Sequence, residues 1–298
     1  MVTMRRTLKV AILLAAALVA AACTFTQLAY SNVGLAYNNA APMLTWMVSD
    51  YVDMSDDQKE FVRDRFSRAF SWHRARELPE YHRFFEKVLV QAQDNISVEE
   101  AAVDHRELRR YYHRSAERLL PDMADFLLQL DSLQAKQMQK RFDKDNRKMV
   151  GDATEGESQE RLEKRIERFL VHVEQFIGDV NDPQREMVRA YLAGLPELVD
   201  ERLADRRYRQ SRILVLVQSK PPRDEVVSEL RRLFIDTETW RSPEYQQKLR
   251  DRDRALFQFI ARISASLTPE QRAAFQRRIH GFIRDITEIT ASRAAERG

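Results

Sequence analysis

Glycine and proline are scarce in this chain, at seven and nine among 298 residues. Little glycine leaves few positions for left-handed turns, and without stretches of alternating β-branched residues there is little to build strands from. Arg and Glu, both good helix formers, are abundant instead, so an all-α fold is expected nearly throughout. Cys23 is the single cysteine, so no internal disulfide can form. There is no Gly-rich phosphate loop, no Gly-x-Ser-x-Gly and no His-Glu-x-x-His, which leaves no catalytic residues and no cofactor to assign from motifs. The apolar run from Val10 to Ala22 has 13 residues, short of the roughly 18–20 that a bilayer-spanning helix needs. With 44% hydrophobic and 32% charged residues, the chain can bury a sizeable core and is neither disordered nor membrane-embedded over most of its length.

Arg5, Arg6 and Lys9 precede that apolar run, and residues 1–22 read as a secretory leader. Its removal takes three basic and no acidic residues and leaves 46 of each, so the mature chain has no net charge. Without a global field to attract polyanions, no nucleic-acid partner is expected. Ala20-Ala21-Ala22 before Cys23 resembles the lipobox of bacterial lipoproteins, in which the cysteine is diacylated and becomes the new N-terminus; Ala20 stands where Leu is usual. A soluble secreted protein cut near Ala22 is the other reading. By resemblance to lipoprotein sorting, Thr24 rather than Asp after the cysteine implies the outer membrane, with the chain anchored through Cys23 and facing the periplasm.

Residues 23–34 are then a lipidated tether, and residues 35–298 a single elongated bundle of about 9–11 helices, several kinked at Pro, with possible hinges near 150–157 and 219–223. Between Cys23 and Ser49 there is no charged residue. Met43, Leu44, Met47 and Val48 fall at helical spacing there, which predicts a helix buried in the core; a helix resting on lipid usually carries a Lys/Arg-rich face that this one lacks.

Four pentads organise the rest: Met54 to Gln58, Leu130 to Gln134, Val180 to Gln184 and Leu267 to Gln271. In each, a cap residue (Ser55, Asp131, Asn181, Thr268) precedes a Gln by three positions, the spacing of a capping box, so each predicts a helix start. Ser97 and Glu100 form another. Helices are expected over 55–76, 79–93, 97–120 with a break or kink at Pro121, 132–149, 182–208 with a kink at Pro196, 223–236, 243–265 and 268–295. Gly151 to Gly156 reads as a linker, with Thr154 and Glu157 capping the helix that follows. Ile213 to Val217 fits either a strand or a buried helix end.

Trp72, His73, Arg74, Glu77, Tyr81 and His82 form the densest group of chemistry-bearing side chains. His73 and Glu77 are four apart, a spacing that suits two ligands of a zinc or di-iron site. Such a site takes three or four ligands, however, and His105, His113, His172 and His280 are scattered singly, so no metal is assigned. The structural reading is an aromatic–Arg–carboxylate corner fixing the junction at Pro79. Arg202, Arg206, Arg207, Arg209 and Arg212 are candidates for phosphate or lipid A-type anions, or for a solvated helix face shared with Glu201 and Asp205.

Tyr37-Asn38, Trp46, Asp50-Tyr51-Val52, Gln58, Trp72-His73-Arg74, Glu77-Leu78-Pro79 and Tyr81, together with Cys23, resemble a DUF6279-type family of uncharacterised Gram-negative bacterial lipoproteins. That resemblance implies an envelope location and a helical fold, and brings no activity. The pentads more weakly resemble the Leu-Thr-x-x-Gln motif of the Spy/CpxP periplasmic chaperones and stress sensors, with Leu267 to Gln271 the one literal match. The expectation is a lipid-anchored protein that binds rather than catalyses, with the membrane and an envelope protein as partners. A Spy/CpxP-like chaperone and a metal-dependent enzyme centred on His73 and Glu77 are the alternatives.

Overall fold

The computed structural model describes residues 37–295, so the leader and Cys23 lie outside the described residues. Among those described there are eleven α-helices, one short 3-10 turn and no strand. In chain order they are α1 (Ala40–Ser49), α2 (Asp56–Arg76), α3 (Leu78–Gln91), α4 (Val98–Gln129), α5 (Ser132–Thr154) and α6 (Ser158–Ile177). There follow α7 (Asp182–Ala193), α8 (Val199–Ser219), α9 (Arg223–Phe234), the 3-10 turn Thr237–Thr239, α10 (Pro243–Ala265) and α11 (Pro269–Ala295).

All four pentads open a helix through a capping box. The backbone N–H groups of Gln58, Gln134, Gln184 and Gln271 donate to the side chains of Ser55, Asp131, Asn181 and Thr268 at 2.8–3.2 Å. Each Gln Oε1 accepts in return from the cap's own N–H at 3.0–3.2 Å. Two donors that the first helical turn leaves without partners are thus satisfied at each start.

The chain winds through two compact units, each assembled from three segments. The first runs to Glu77 and adds Arg110–Asp152 and Val199–Arg241; the second takes Leu78–Arg109, Ala153–Leu198 and Ser242 onward. The stretch 150–157 contains one of these boundaries, whereas 219–223 lies inside the first unit. In the first unit Val62, Phe66 and Phe70 of α2 are buried with Leu119, Leu120 and Met123 of α4 and Met138 and Phe142 of α5. In the second, Ile166, Leu170, Val188, Leu192 and Phe259 form one cluster, with Tyr191 stacked on Phe259 at 4.7 Å. Burying each such side chain contributes about 1.5–3 kcal/mol.

The pentads pair, one pair in each unit. In the first, Gln134 Nε2 donates to Gln58 Oε1 at 2.7 Å and Gln58 Nε2 donates back to Gln134 Oε1 at 3.2 Å. In the second, Gln184 and Gln271 exchange the same two bonds at 2.7 and 2.8 Å. Each amide also donates to a carbonyl two residues before its partner's cap. Gln58 reaches Gln129, Gln134 reaches Asp53, Gln184 reaches Ser266 and Gln271 reaches Asp179, all at 2.7–3.3 Å. Every Gln therefore accepts twice and donates at least twice, Gln184 also reaching the Ser266 hydroxyl at 3.2 Å, while holding another helix start against its own, which satisfies amides that are buried at positions 134, 184 and 271.

Several boundaries differ from the sequence expectation. Pro121 does not break its helix: α4 runs through it from Val98 to Gln129. Proline removes one N–H, and the buried Leu119, Leu120, Met123 and Ala124 on either side keep the helix continuous across that gap. Helix α5 extends through Gly151 to Thr154, so the break is confined to the residues just before α6. There Gly156 takes φ +85°, which only glycine adopts readily, and Glu157 is a cap without a side-chain bond. The expected kinked helix 182–208 is two helices, since Gly194 ends α7 and the residue before Pro196 avoids helical geometry. Ile213 to Val217 is helical, near the end of α8, with Ile213, Leu216 and Val217 buried and Val215 exposed. Helix α1 is only half in the core: Ala40, Ala41 and Leu44 are buried, while Met43 and Trp46 are 39% and 63% exposed.

Candidate functional site

Of the residues singled out around 72–82, Trp72, His73, Arg74 and Glu77 lie at the end of α2, within the first unit. His73 is 1% exposed, and its Nδ1 lies 2.9 Å from the hydroxyl of Tyr37, which enters just before α1. The Tyr37 ring meets Phe70 edge-on with centroids 5.2 Å apart, and the Arg74 guanidinium sits over the Tyr37 ring at 5.2 Å while bonding Asn38. Burial holds His73 well below its ordinary value, at about 4, so the ring is neutral at pH 7.

Glu77 caps α2 and is 2% exposed. Both of its oxygens are taken by the fork of Arg114 on α4, with Nε to Oε1 at 3.0 Å and Nη2 to Oε2 at 2.8 Å. Arg114 also lies over Tyr111 at 5.0 Å. A carboxylate clamped bidentately by guanidinium is a fixed ion pair rather than an available metal ligand or base. Among the described residues, no three His, Cys, Asp or Glu side chains converge as a metal site would require.

The predicted group is divided. Trp72, His73, Arg74 and Glu77 belong to the first unit, whereas Tyr81 and His82 are half-buried on α3 in the second, where His82 faces Glu86 at 3.4 Å. Tyr37, Asn38 and Arg114 complete the corner. The sequence signalled the first two only through the family resemblance and gave no sign of Arg114.

A second polar cluster fills the core of the first unit. The Tyr51 hydroxyl donates to Asp145 at 2.7 Å, and Arg141 and Arg206 approach the same carboxylate at 3.3 and 3.8 Å. Arg206 Nε donates to Asn146 at 2.7 Å, and Asn146 donates to Gln210 at 2.8 Å. Burial, reinforced by the bond to Asp145, pushes the Tyr51 hydroxyl well above its ordinary value, and burial lowers Arg206. Alongside, Asp205 is shared by Arg209 at 2.5 Å and Arg241 at 2.6 Å. Glu229 pairs with Arg232 at 2.8 Å and Arg212 at 2.7 Å, and these bonds bring it down to about 2.

The arginine run 202–212 is therefore neither an open anion site nor a fully solvated face. Arg206, Arg209 and Arg212 are committed to internal partners, and Arg202 and Arg207 are exposed. In α5, Asp145 and Asn146 sit among Lys and Arg with nothing in the sequence to mark them as buried.

The model of a family of unknown function, DUF6279, matches residues 50–246. Neither a curated protein nor a solved structure matches the chain. The matched span holds the Gln58–Gln134 pair, the Glu77–Arg114 fork and the buried Tyr51–Asp145 cluster, and by this match over more than half of its length the chain belongs to that family of unknown function.

Proposed function

We propose that this is a lipid-anchored envelope protein, held at the periplasmic face of the outer membrane through Cys23 and acting by binding rather than catalysis. The observation that supports binding over catalysis is the commitment of its buried polar groups. His73 is engaged by Tyr37, Glu77 by both arms of Arg114, and Asp145 by Tyr51 and Arg141. General acid–base work needs a group that can reach a substrate proton, and these groups are spent on holding helices together. The leader, the Ala-Ala-Ala-Cys23 sequence and Thr24 support the anchor and its membrane. Its partners in this reading are the bilayer and an envelope protein, with no nucleic acid, metal or small-molecule cofactor. No helix among the described residues is long and apolar enough to cross a membrane, so attachment in this reading falls to the N-terminus.

Envelope fractionation tests the reading: the native chain should co-sediment with outer membranes and Cys23→Ser should be released in soluble form. Unchanged fractionation of Cys23→Ser would remove the anchor.

A chaperone-like role is a second reading, favoured by the pairing of all four pentads into two matching clasps. Holdase activity on an unfolding client measures it, and no suppression of client aggregation at equimolar protein counts against it.

A further inference from the structure

Helix α1 differs from every other described helix in carrying no charged residue. Its inner face, Ala40, Ala41 and Leu44, packs on α2, while Met43 and Trp46, three positions apart, turn outward at 39% and 63% exposure. Val90 and Leu133 are equally exposed, yet they stand singly beside charged or polar neighbours such as Glu86 and Lys136, as scattered surface apolar residues usually do. The outward side of α1 instead continues a stretch that is uncharged from Cys23 to Ser49. We infer that the Met43–Trp46 face of α1 lies on the surface of the lipid bilayer, with Trp46 at headgroup depth.

The length of chain before the helix favours this occupant over a protein. Tyr37 lies fourteen residue steps beyond Cys23, and at 3.3–3.6 Å per step these span about 50 Å at most, so a chain anchored at Cys23 keeps α1 within reach of the membrane. An indole combines an apolar body with one N–H donor and partitions to the interface between acyl chains and headgroups. The Lys/Arg-rich face typical of isolated interfacial helices is not needed, because the side of α1 away from lipid is covered by α2 rather than by water. The inference rests on the anchored reading proposed above.

The test places the chain at a bilayer independently of acylation. A hexahistidine tag replaces the leader and Cys23, and the protein is bound to phosphatidylethanolamine–phosphatidylglycerol vesicles containing a nickel-chelating lipid. An environment-sensitive fluorophore is attached at Met43→Cys, with Trp46 intact, or at Leu133→Cys as control. The expected result is a blue shift at position 43 on adding lipid, with quenching by brominated acyl chains about twofold stronger than at position 133. Trp46→Glu should abolish both while circular dichroism stays helical.

Equal quenching at the two positions overturns the inference. So does a blue shift present before lipid is added, which would mean that residues 24–36 cover the face. A shift that follows protein rather than lipid concentration also overturns it, pointing to a second copy. The anchor is read separately from the mass of the native N-terminal peptide. Unmodified Cys23 with a lipid-dependent shift would remove the anchor and keep the α1 contact, whereas acylated Cys23 without the shift would do the reverse.

Discussion

The side-chain amides of Gln184 and Gln271 donate to each other across two helix starts, at 2.7 and 2.8 Å, and each also holds its own cap and its partner's incoming strand of backbone. Gln is the side chain this geometry requires, because it must accept twice and donate twice. Gln184→Glu keeps the shape and loses both donors, leaving a carboxylate opposite Ser266 O and Gln271 Oε1 at a fully buried position. A loss of about 2–4 kcal/mol in urea unfolding is expected. Gln58→Glu, at the half-buried member of the other pair, should cost less.

Removing Arg114 strands the Glu77 carboxylate in the core. Arg114→Ala should destabilise by about 3 kcal/mol, since breaking a buried pair from one side leaves an uncompensated charge. Arg114→Ala with Glu77→Gln should recover part of that loss. Denaturant midpoints of the two single variants and the double variant measure the coupling.

His73 makes stability depend on pH in a defined window. In the unfolded chain it titrates near 6.5 and in the folded chain at about 4, so between those values the unfolded chain binds a proton that the folded chain does not. Its contribution is fully present above pH 6.5, is lost as pH falls toward 4, and levels off below that; the total is about 3 kcal/mol. Subtracting the curve of His73→Gln from that of the native chain isolates it. Glu229, with its depressed value of about 2, contributes in a lower window: its share is present above about 4.5 and disappears as pH falls through 2.

Lys220 closes the end of α4 from a distance in sequence. Its ammonium donates to the carbonyls of Leu127 at 3.4 Å and Leu128 at 2.6 Å, and to that of Leu130. Its own backbone takes φ +48°. Lys220→Met keeps the same backbone strain and most of the side-chain volume, so the difference reports the ammonium alone. A loss of about 1–2 kcal/mol is expected, from charged hydrogen bonds at the negative end of a helix dipole, measured by urea unfolding.

Local chemistry made much of this legible. Helix starts were readable because Ser55, Asp131, Asn181 and Thr268 solve a problem within four residues, and local solutions leave a fixed spacing. The pairing of Gln58 with Gln134 and Gln184 with Gln271 was not, because it joins residues 76 and 87 positions apart. Pro121 misled for a related reason: its cost is local, whereas the packing of Leu119 and Met123 that outweighs it is not. His73 and Glu77 stood out by residue type. Their partners lie far off in the chain, Tyr37 just before α1 and Arg114 on α4, and only the folded chain shows that they fix a corner rather than serve one another.

The claim on which the rest depends is that Cys23 tethers this helical body to a membrane. The mass of the mature N-terminal peptide, taken from protein expressed with its own leader in a Gram-negative envelope, tests it most directly. The account predicts that the peptide begins at residue 23 and carries acyl chains. A peptide that begins elsewhere, or an unmodified Cys23, would contradict it.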